Sequence, residues 1–292
     1  MRFVRWSIFL GLIGAATGWY LSRPISVDAQ IIEGMGGDPV AGELIYWAGG
    51  CASCHAADNA TGDELLVLGG GQSLPSDFGS FIVPNISTDA DAGIGGWSTY
   101  DLVNAMLAGV SPNRQHYYPS FPYTSFTKMT PQDVVDLKSF LDTLPASSQA
   151  NPPHELGFPF NIRRGLGLWK QLYLIKAWVL PDPVTEEIAR GRYLVEGAGH
   201  CAECHTPRSP IGGLERDQWM QGAPDPSGKG RVPAIAPDKL TWAASDIAYY
   251  LETGFTPDFD SAGGHMAKVI GNMARLPASD RAAIAAYLKA IP

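Results

Sequence analysis

Cysteine is scarce in this chain: 4 in 292 residues, all used in two copies of one short pattern. No thiol is left over for a disulfide framework or for an additional thiolate ligand, which excludes thiosulfate chemistry at a cysteine-ligated centre. Basic residues are also few. Lys and Arg number 21 against 29 Asp and Glu, a net charge of −8, with a pI near 5.2. That balance argues against nucleic acid as a partner. Gly69-Gly70-Gly71 lacks the strand-to-helix setting of a phosphate loop. Long apolar runs are missing too, apart from Trp6 to Leu21.

What is present is more specific. Cys51-Ala52-Ser53-Cys54-His55 and Cys201-Ala202-Glu203-Cys204-His205 are two copies of C-x-x-C-H, set 150 residues apart. The spacing predicts covalent attachment of two haem c groups. Two thiols form thioethers with the haem vinyl groups, and the adjacent histidine becomes an axial iron ligand. Covalent haem attachment is therefore expected at Cys51, Cys54, Cys201 and Cys204, with His55 and His205 on the two irons. A structural zinc site would want its four ligands together and has no use for a histidine after each second cysteine. A thioredoxin-like motif would sit in a βαβ setting, of which the chain shows little. Structural disulfides leave the paired histidines unexplained.

Haem c is attached outside the cytoplasm, so export is expected. Arg2 and Arg5 precede the apolar stretch, and Arg23-Pro24 closes it. A positive flank followed by an apolar run is an export signal. The run is longer than a usual signal core and slightly short of the roughly 20 residues of an ideal spanning helix. Trp6, Trp19 and Tyr20 stand near its ends, as interfacial aromatics do. The reading favoured is an uncleaved inner-membrane anchor over residues 1–24, with the rest on the periplasmic face. A cleaved signal peptide is the alternative.

The two halves repeat beyond the motifs. Ala41-Gly42-Glu43-Leu44-Ile45-Tyr46 parallels Ala189-Arg190-Gly191-Arg192-Tyr193-Leu194, and Val83-Pro84 parallels Val232-Pro233. Trp97, Asp101 and Gly109 share their spacing with Trp242, Asp246 and Gly254. Val134, Val135, Leu137, Phe140 and Leu141 make one apolar helix face before Pro145; Ala283, Ile284, Tyr287 and Leu288 make another before Pro292. Thr130 is the expected N-cap of the first closing helix, with Pro131 at its first position. The pattern predicts an all-α fold of two tandem class I cytochrome c domains behind the anchor: residues 39–148 and 184–292. Between them, 149–183 is a Pro-rich, aromatic connector. It either packs along both domains or offers Phe158, Phe160, Trp169, Leu172, Tyr173 and Trp178 as a docking surface.

Met266, in Gly263-Gly264-His265-Met266, is the expected sixth ligand of the second haem iron, from a glycine-rich loop; Met273 is the second choice. For the first haem the sixth ligand stays open between His116 and Met129, with an unligated iron as the third option. Fourteen residues before Asp133 stands Pro119, and no methionine occupies that slot. Met129 aligns with Leu276, and Met106 falls on the middle helix; both fit packing roles.

Gly69-Gly70, Phe78-Gly79, Pro84-Asn85-Ile86-Ser87, Gly93-Ile94-Gly95-Gly96-Trp97, Tyr118-Pro119-Ser120-Phe121-Pro122-Tyr123 and Phe158-Pro159-Phe160-Asn161-Ile162-Arg163-Arg164 carry a further resemblance. Together with the C-x-x-C-H pair, and over nearly everything after residue 38, the chain resembles membrane-bound dihaem cytochromes c. These are related to the cytochrome subunits of periplasmic quinoprotein alcohol dehydrogenases and of molybdenum aldehyde or isoquinoline-type dehydrogenases. The resemblance implies electron transfer from a dehydrogenase or other respiratory donor to a downstream oxidase, quinone or cytochrome. Two departures stand out: the alcohol dehydrogenase subunits carry Met where Phe121 stands here, and they have a third haem domain. An electron carrier is the expected function, with no catalytic residue of its own. A peroxidase-like enzyme using an open first haem, or a cytochrome that only anchors a partner, are the alternatives.

Overall fold

A computed structural model describes residues 2–225 and 230–291. Met1 and Pro292, which bound the expected anchor and the last domain, lie outside the described residues. The chain opens with helix α1, Arg2–Leu21. Four helices then build the first half, with one short turn between the last two: α2 Pro39–Ala48, α3 Cys51–His55, α4 Thr99–Ala108, the turn α5 Tyr123–Phe126 and α6 Pro131–Leu141. Helix α7, Leu166–Tyr173, lies in the connector. The second half follows the same order: α8 Glu186–Arg192, α9 Ala202–His205, α10 Ala244–Thr253, α11 Gly264–Met273 and α12 Ala278–Ala290. Between α8 and α9 the chain widens into a π-helical stretch, Tyr193–Ala198.

The fold is mostly helical, but not purely so. Strands β1 Ser73–Ser76 and β2 Gly79–Ile82 form a hairpin, and β3 Glu155–Leu156 pairs with β2. A second ladder joins β4 Ala223–Pro224 to β5 Arg231–Val232. These short ladders correct the all-α expectation. Strands β1, β2, β4 and β5 occur where each half turns between its C-x-x-C-H helix and its middle helix, while β3 lies in the connector; glycines supply the left-handed conformations such turns need, as at Gly79 with φ of 118°.

Local chemistry explains the repeated helices. Thr130 caps α6 by accepting from the Asp133 amide, with Pro131 at the first position. Ser98 and Asp101 form a capping box on α4, and Gly109 ends that helix in the left-handed conformation. Gly254 ends α10 in the same way. In each half the leading helix crosses the closing one at a glycine. A Cβ on Gly42 would lie 2.0 Å from the Asp136 carbonyl oxygen, and one on Gly191 would lie 1.9 Å from that of Ala283. Only hydrogen at these positions lets α2 meet α6, and α8 meet α12, this closely.

The connector is engaged on both sides. Trp169 Nε1 donates to the Ile211 carbonyl and Tyr173 bonds Ser209 in the second half. Lys170 Nζ donates to the carbonyls of Ala108 and Gly109, at the C-terminal end of α4, at 2.7 Å each. Trp178 lies under the Arg192 guanidinium. Phe158 and Leu172 remain exposed.

Burial pushes Lys170 down to about 7. Around Nζ stand the Tyr123 ring, 4.5 Å away, the two carbonyls and, further off, His116. A neutral amine still donates both hydrogen bonds. In the unfolded chain the ammonium persists to about pH 10.4. Between pH 7 and that value the unfolded state binds more protons, so stability rises with pH. Denaturant unfolding at pH 7, 8 and 9 is expected to show a gain of up to about 1.4 kcal/mol per pH unit from this group. Lys170→Met removes that part of the slope.

The end of α1 is clamped by α7 and the turn before it. Arg164 donates to Ser22 Oγ and the Trp19 carbonyl and covers the Trp19 ring. The remainder of α1 exposes Phe3, Val4, Ile8, Phe9, Leu10, Leu12 and Ile13. No helix among the described residues is long and apolar enough to cross a membrane. Arg5, Ser7, Thr17 and the amphipathic rings of Trp6, Trp19 and Tyr20 dilute the apolar run.

Candidate haem sites

Each C-x-x-C-H segment folds as one helical turn entered through a left-handed residue. Gly50 has φ of 60° and His200, at the same place in the second half, 41°. The backbone then closes identically in both copies. Ala56 N donates to the Ala52 carbonyl and Gly70 N to that of His55; Thr206 N donates to Ala202 and Gly222 N to His205. The consequence for the histidines is the same twice. His55 Nδ1 donates to the Pro84 carbonyl at 2.8 Å, and His205 Nδ1 to that of Pro233 at 2.8 Å. A carbonyl only accepts, so both rings are fixed as the Nδ1–H tautomer, with the Nε2 lone pair free to ligate. Burial pushes His55 down to about 4 and also lowers His205. Both therefore stay in the neutral form that binds a metal. The Val-Pro repeat was visible in the sequence; its role in orienting the histidines was not.

No disulfide joins the four cysteines. Burial pushes Cys51 and Cys201 up to about 12. Among the described residues no group of three or more His, Cys, Asp or Glu could hold a metal ion directly. Each site thus offers two thiols, one oriented imidazole and a packed apolar surround. That donor set fits a haem c.

Met266 lies in the first turn of α11, not in the glycine-rich loop expected. The i, i+4, i+7 spacing puts Met266, Ile270 and Met273 on one helix face. Ile270 and Met273 are buried, and Met266 packs against the core. The opposite face carries Lys268 and Asn272, which bind Asp58 and Ser53 of the first half. Met266 is therefore directed into its own half. Met273 serves as core packing, as do Met106, Met129 and Met220. His116 is 3% exposed. Its Nε2 donates to the Ser22 carbonyl at 2.9 Å, and its surroundings include Lys170 and Arg164.

The relation between the two sites was not legible in the sequence. The third residue of each C-x-x-C-H binds the other half. Ser53 accepts from Asn272 Nδ2 at 2.7 Å, and Glu203 accepts from Thr124 Oγ1 at 2.8 Å and Ser125 Oγ at 3.2 Å. His200 Nε2 donates to the Gly49 carbonyl at 3.2 Å, and Arg275 covers the Trp47 ring at 4.0 Å. Tyr193 donates to Asp133 across the same seam. Cys54 and Cys204 lie close enough for a charge on one to raise the other. The motifs stand back to back, each bound through its third residue to the other half. A further buried carboxylate, Glu196, braces the second half from the π-helical turn. It accepts from the amides of Val179 and Leu180 and from the Tyr287 hydroxyl.

Comparison with known proteins fits this geometry. Residues 39–145 match the cytochrome c family. The chain is 56% identical to a "Diheme cytochrome c-type" protein of Cereibacter sphaeroides, over 97% of this chain and 96% of that protein. It is 32% identical to the fructose dehydrogenase cytochrome subunit of Gluconobacter japonicus, over 86% of this chain and 52% of that subunit. It is 30% identical to the gluconate 2-dehydrogenase cytochrome c subunit of Pantoea cypripedii, over 86% of this chain and 58% of that subunit. The chain thus spans little more than half the length of these two dehydrogenase subunits.

Proposed function

We propose, on the premise that this chain belongs to the dihaem c-type cytochromes and carries two covalent haem c groups, that it relays electrons from a dehydrogenase to a downstream respiratory acceptor. The observation that carries this is the back-to-back placement of the two motifs, joined by Asn272–Ser53 and His200–Gly49. Similarity to the cytochrome subunits of fructose, gluconate and alcohol dehydrogenases supports a redox partner of that kind.

Each haem supplies a ferric–ferrous couple. In this reading Cys51 and Cys54 bind the first haem, and Cys201 and Cys204 the second. His55 and His205 ligate through Nε2, and the Pro84 and Pro233 carbonyls strengthen them as donors. Met266 is the sixth ligand of the second haem. The functional units are 39–148 and 184–292, with 149–183 as their brace. Mixing the oxidised holo-protein with a partner dehydrogenase and that enzyme's substrate is expected to reduce both haems. Failure to accept electrons, or peroxide turnover by the chain alone, contradicts a relay.

We further propose that α1 attaches the protein to the inner membrane, with the haem-bearing part in the periplasm. The apolar side chains that α1 exposes support this. The full chain is then expected in the membrane fraction, released by detergent and not by salt. A version starting at residue 25 behind a cleavable export signal is expected in the soluble periplasm. A full chain found in the soluble fraction contradicts the attachment.

A further inference from the structure

The two halves superpose hydrogen bond for hydrogen bond in one loop, and there they differ in a single chemically decisive way. After α4 and α10 the chain turns through matched positions at a constant offset of 145 residues. Gly109 and Gly254 end the helices in the left-handed conformation. Val110 bridges to His116 as Phe255 does to Ser261. Ser111 N donates to the Gln115 carbonyl as Thr256 N does to that of Asp260, and Tyr117 N to Gly109 as Ala262 N to Gly254. Even the strained residues coincide: Arg114 has φ of 56° and Phe259 of 63°. Continued at this offset, the place of Met266 is taken by Phe121. The closing helices are offset by 147, and that count gives Pro119. Neither residue has a side-chain donor for iron.

The remaining candidates do not stand at the position of Met266. His116 stands opposite Ser261. Its Nε2 donates to the Ser22 carbonyl, on the side of Lys170 and Arg164, and its buried Nδ1 has no partner among the described residues. Met129 is buried in the core, with its amide bound to Phe126, and aligns with the packing residue Leu276. Around Phe121 stand the rings of Tyr117, Tyr123 and Phe126, with centroids 5.5, 6.5 and 5.6 Å away. Tyr123 is fully buried, and its hydroxyl has no partner among the described residues.

We infer that the first haem takes no sixth ligand from the protein and binds an exogenous neutral diatomic molecule on the side that Phe121 covers. The aromatic lining disfavours a charged ligand, which loses its hydration on entering such a surround. The inference rests on the haem attachment and Met266 ligation proposed above.

The test is carbon monoxide titration of the ferrous holo-protein, with haem content fixed first by the pyridine haemochrome assay. One haem per chain in that assay would show the attachment reading to be wrong before any gas is added. With two haems, the expected uptake is one carbon monoxide per chain. Phe121→Met is expected to abolish uptake and add a second methionine-ligated low-spin spectrum. Met266→Ala, which leaves the first half untouched, is expected to raise uptake to two. Two low-spin haems with no uptake in the wild type would overturn the inference. So would a low-spin first haem that becomes high-spin in His116→Ala or Met129→Ala.

Discussion

Replacing Cys51 and Cys54 together by alanine is expected to halve the covalent haem content while leaving the second motif loaded. The thioethers are what make attachment permanent; His55 alone gives a dissociable bond. The bonds that orient each motif's histidine and close its backbone lie inside its own half, although Ser53 and Glu203 also bond across the seam. His55 and Gly70 pair with Pro84 and the motif backbone, and His205 and Gly222 do the same around Pro233. Loss at one site should therefore not spread to the other. The first half loses the flat apolar body that Leu68, Ile94 and their neighbours would pack against, and should become the less stable half. The pyridine haemochrome assay and the intact mass count the haems directly. A variant that keeps both would show that these thiols do not hold the cofactor. A variant that loses both would show that the motifs do not load independently.

Gly42→Ala and Gly191→Ala are expected to be strongly destabilising. At each, the new Cβ would sit about 2 Å from a backbone oxygen of the closing helix: Asp136 in the first half, Ala283 in the second. Backbone does not rotate away as a side chain does, so the helices themselves must separate. Overpacking of this kind costs typically 1–3 kcal/mol and occasionally more, and about 3 kcal/mol is expected here. For a unit of about 100 residues that lowers Tm by roughly 12 °C or more. Gly157→Ala and Gly165→Ala meet nothing within 4 Å and are expected to change stability by less than about 0.5 kcal/mol. Thermal unfolding of the four variants checks the contrast; equal effects at all four would remove the close crossing as the cause.

The sequence made the haem pattern and the repeat plain because both rest on local chemistry. C-x-x-C-H is a covalent requirement within five residues, and the caps of α4 and α6 are short-range hydrogen bonds that Ser98, Asp101, Thr130 and Pro131 announce. The glycines at 42 and 191 were visible as repeated residues, but the crossing that demands them joins segments about 90 residues apart. The seam between the halves was hidden for the same reason. Nothing in Ser53 or Asn272 alone indicates that they meet across 219 positions. Met266 was assigned to the wrong element: two glycines before it read as a loop, whereas Gly264 begins α11. The strands were missed because β1 to β5 are two to four residues long, too short for alternation to register. The apolar run at the N-terminus gave its helix correctly, while spanning depends on an apolar content that its arginine, hydroxyl and indole groups reduce.

The most direct test of an electron relay between back-to-back sites is intramolecular transfer. One haem of the oxidised holo-protein is reduced by a short pulse of a small photoreductant, and redistribution to the other is followed optically. The predicted result is a first-order phase whose rate constant does not change with protein concentration. A rate that rises in proportion to concentration would mean that electrons move between molecules, and that the joined motifs do not form a single path.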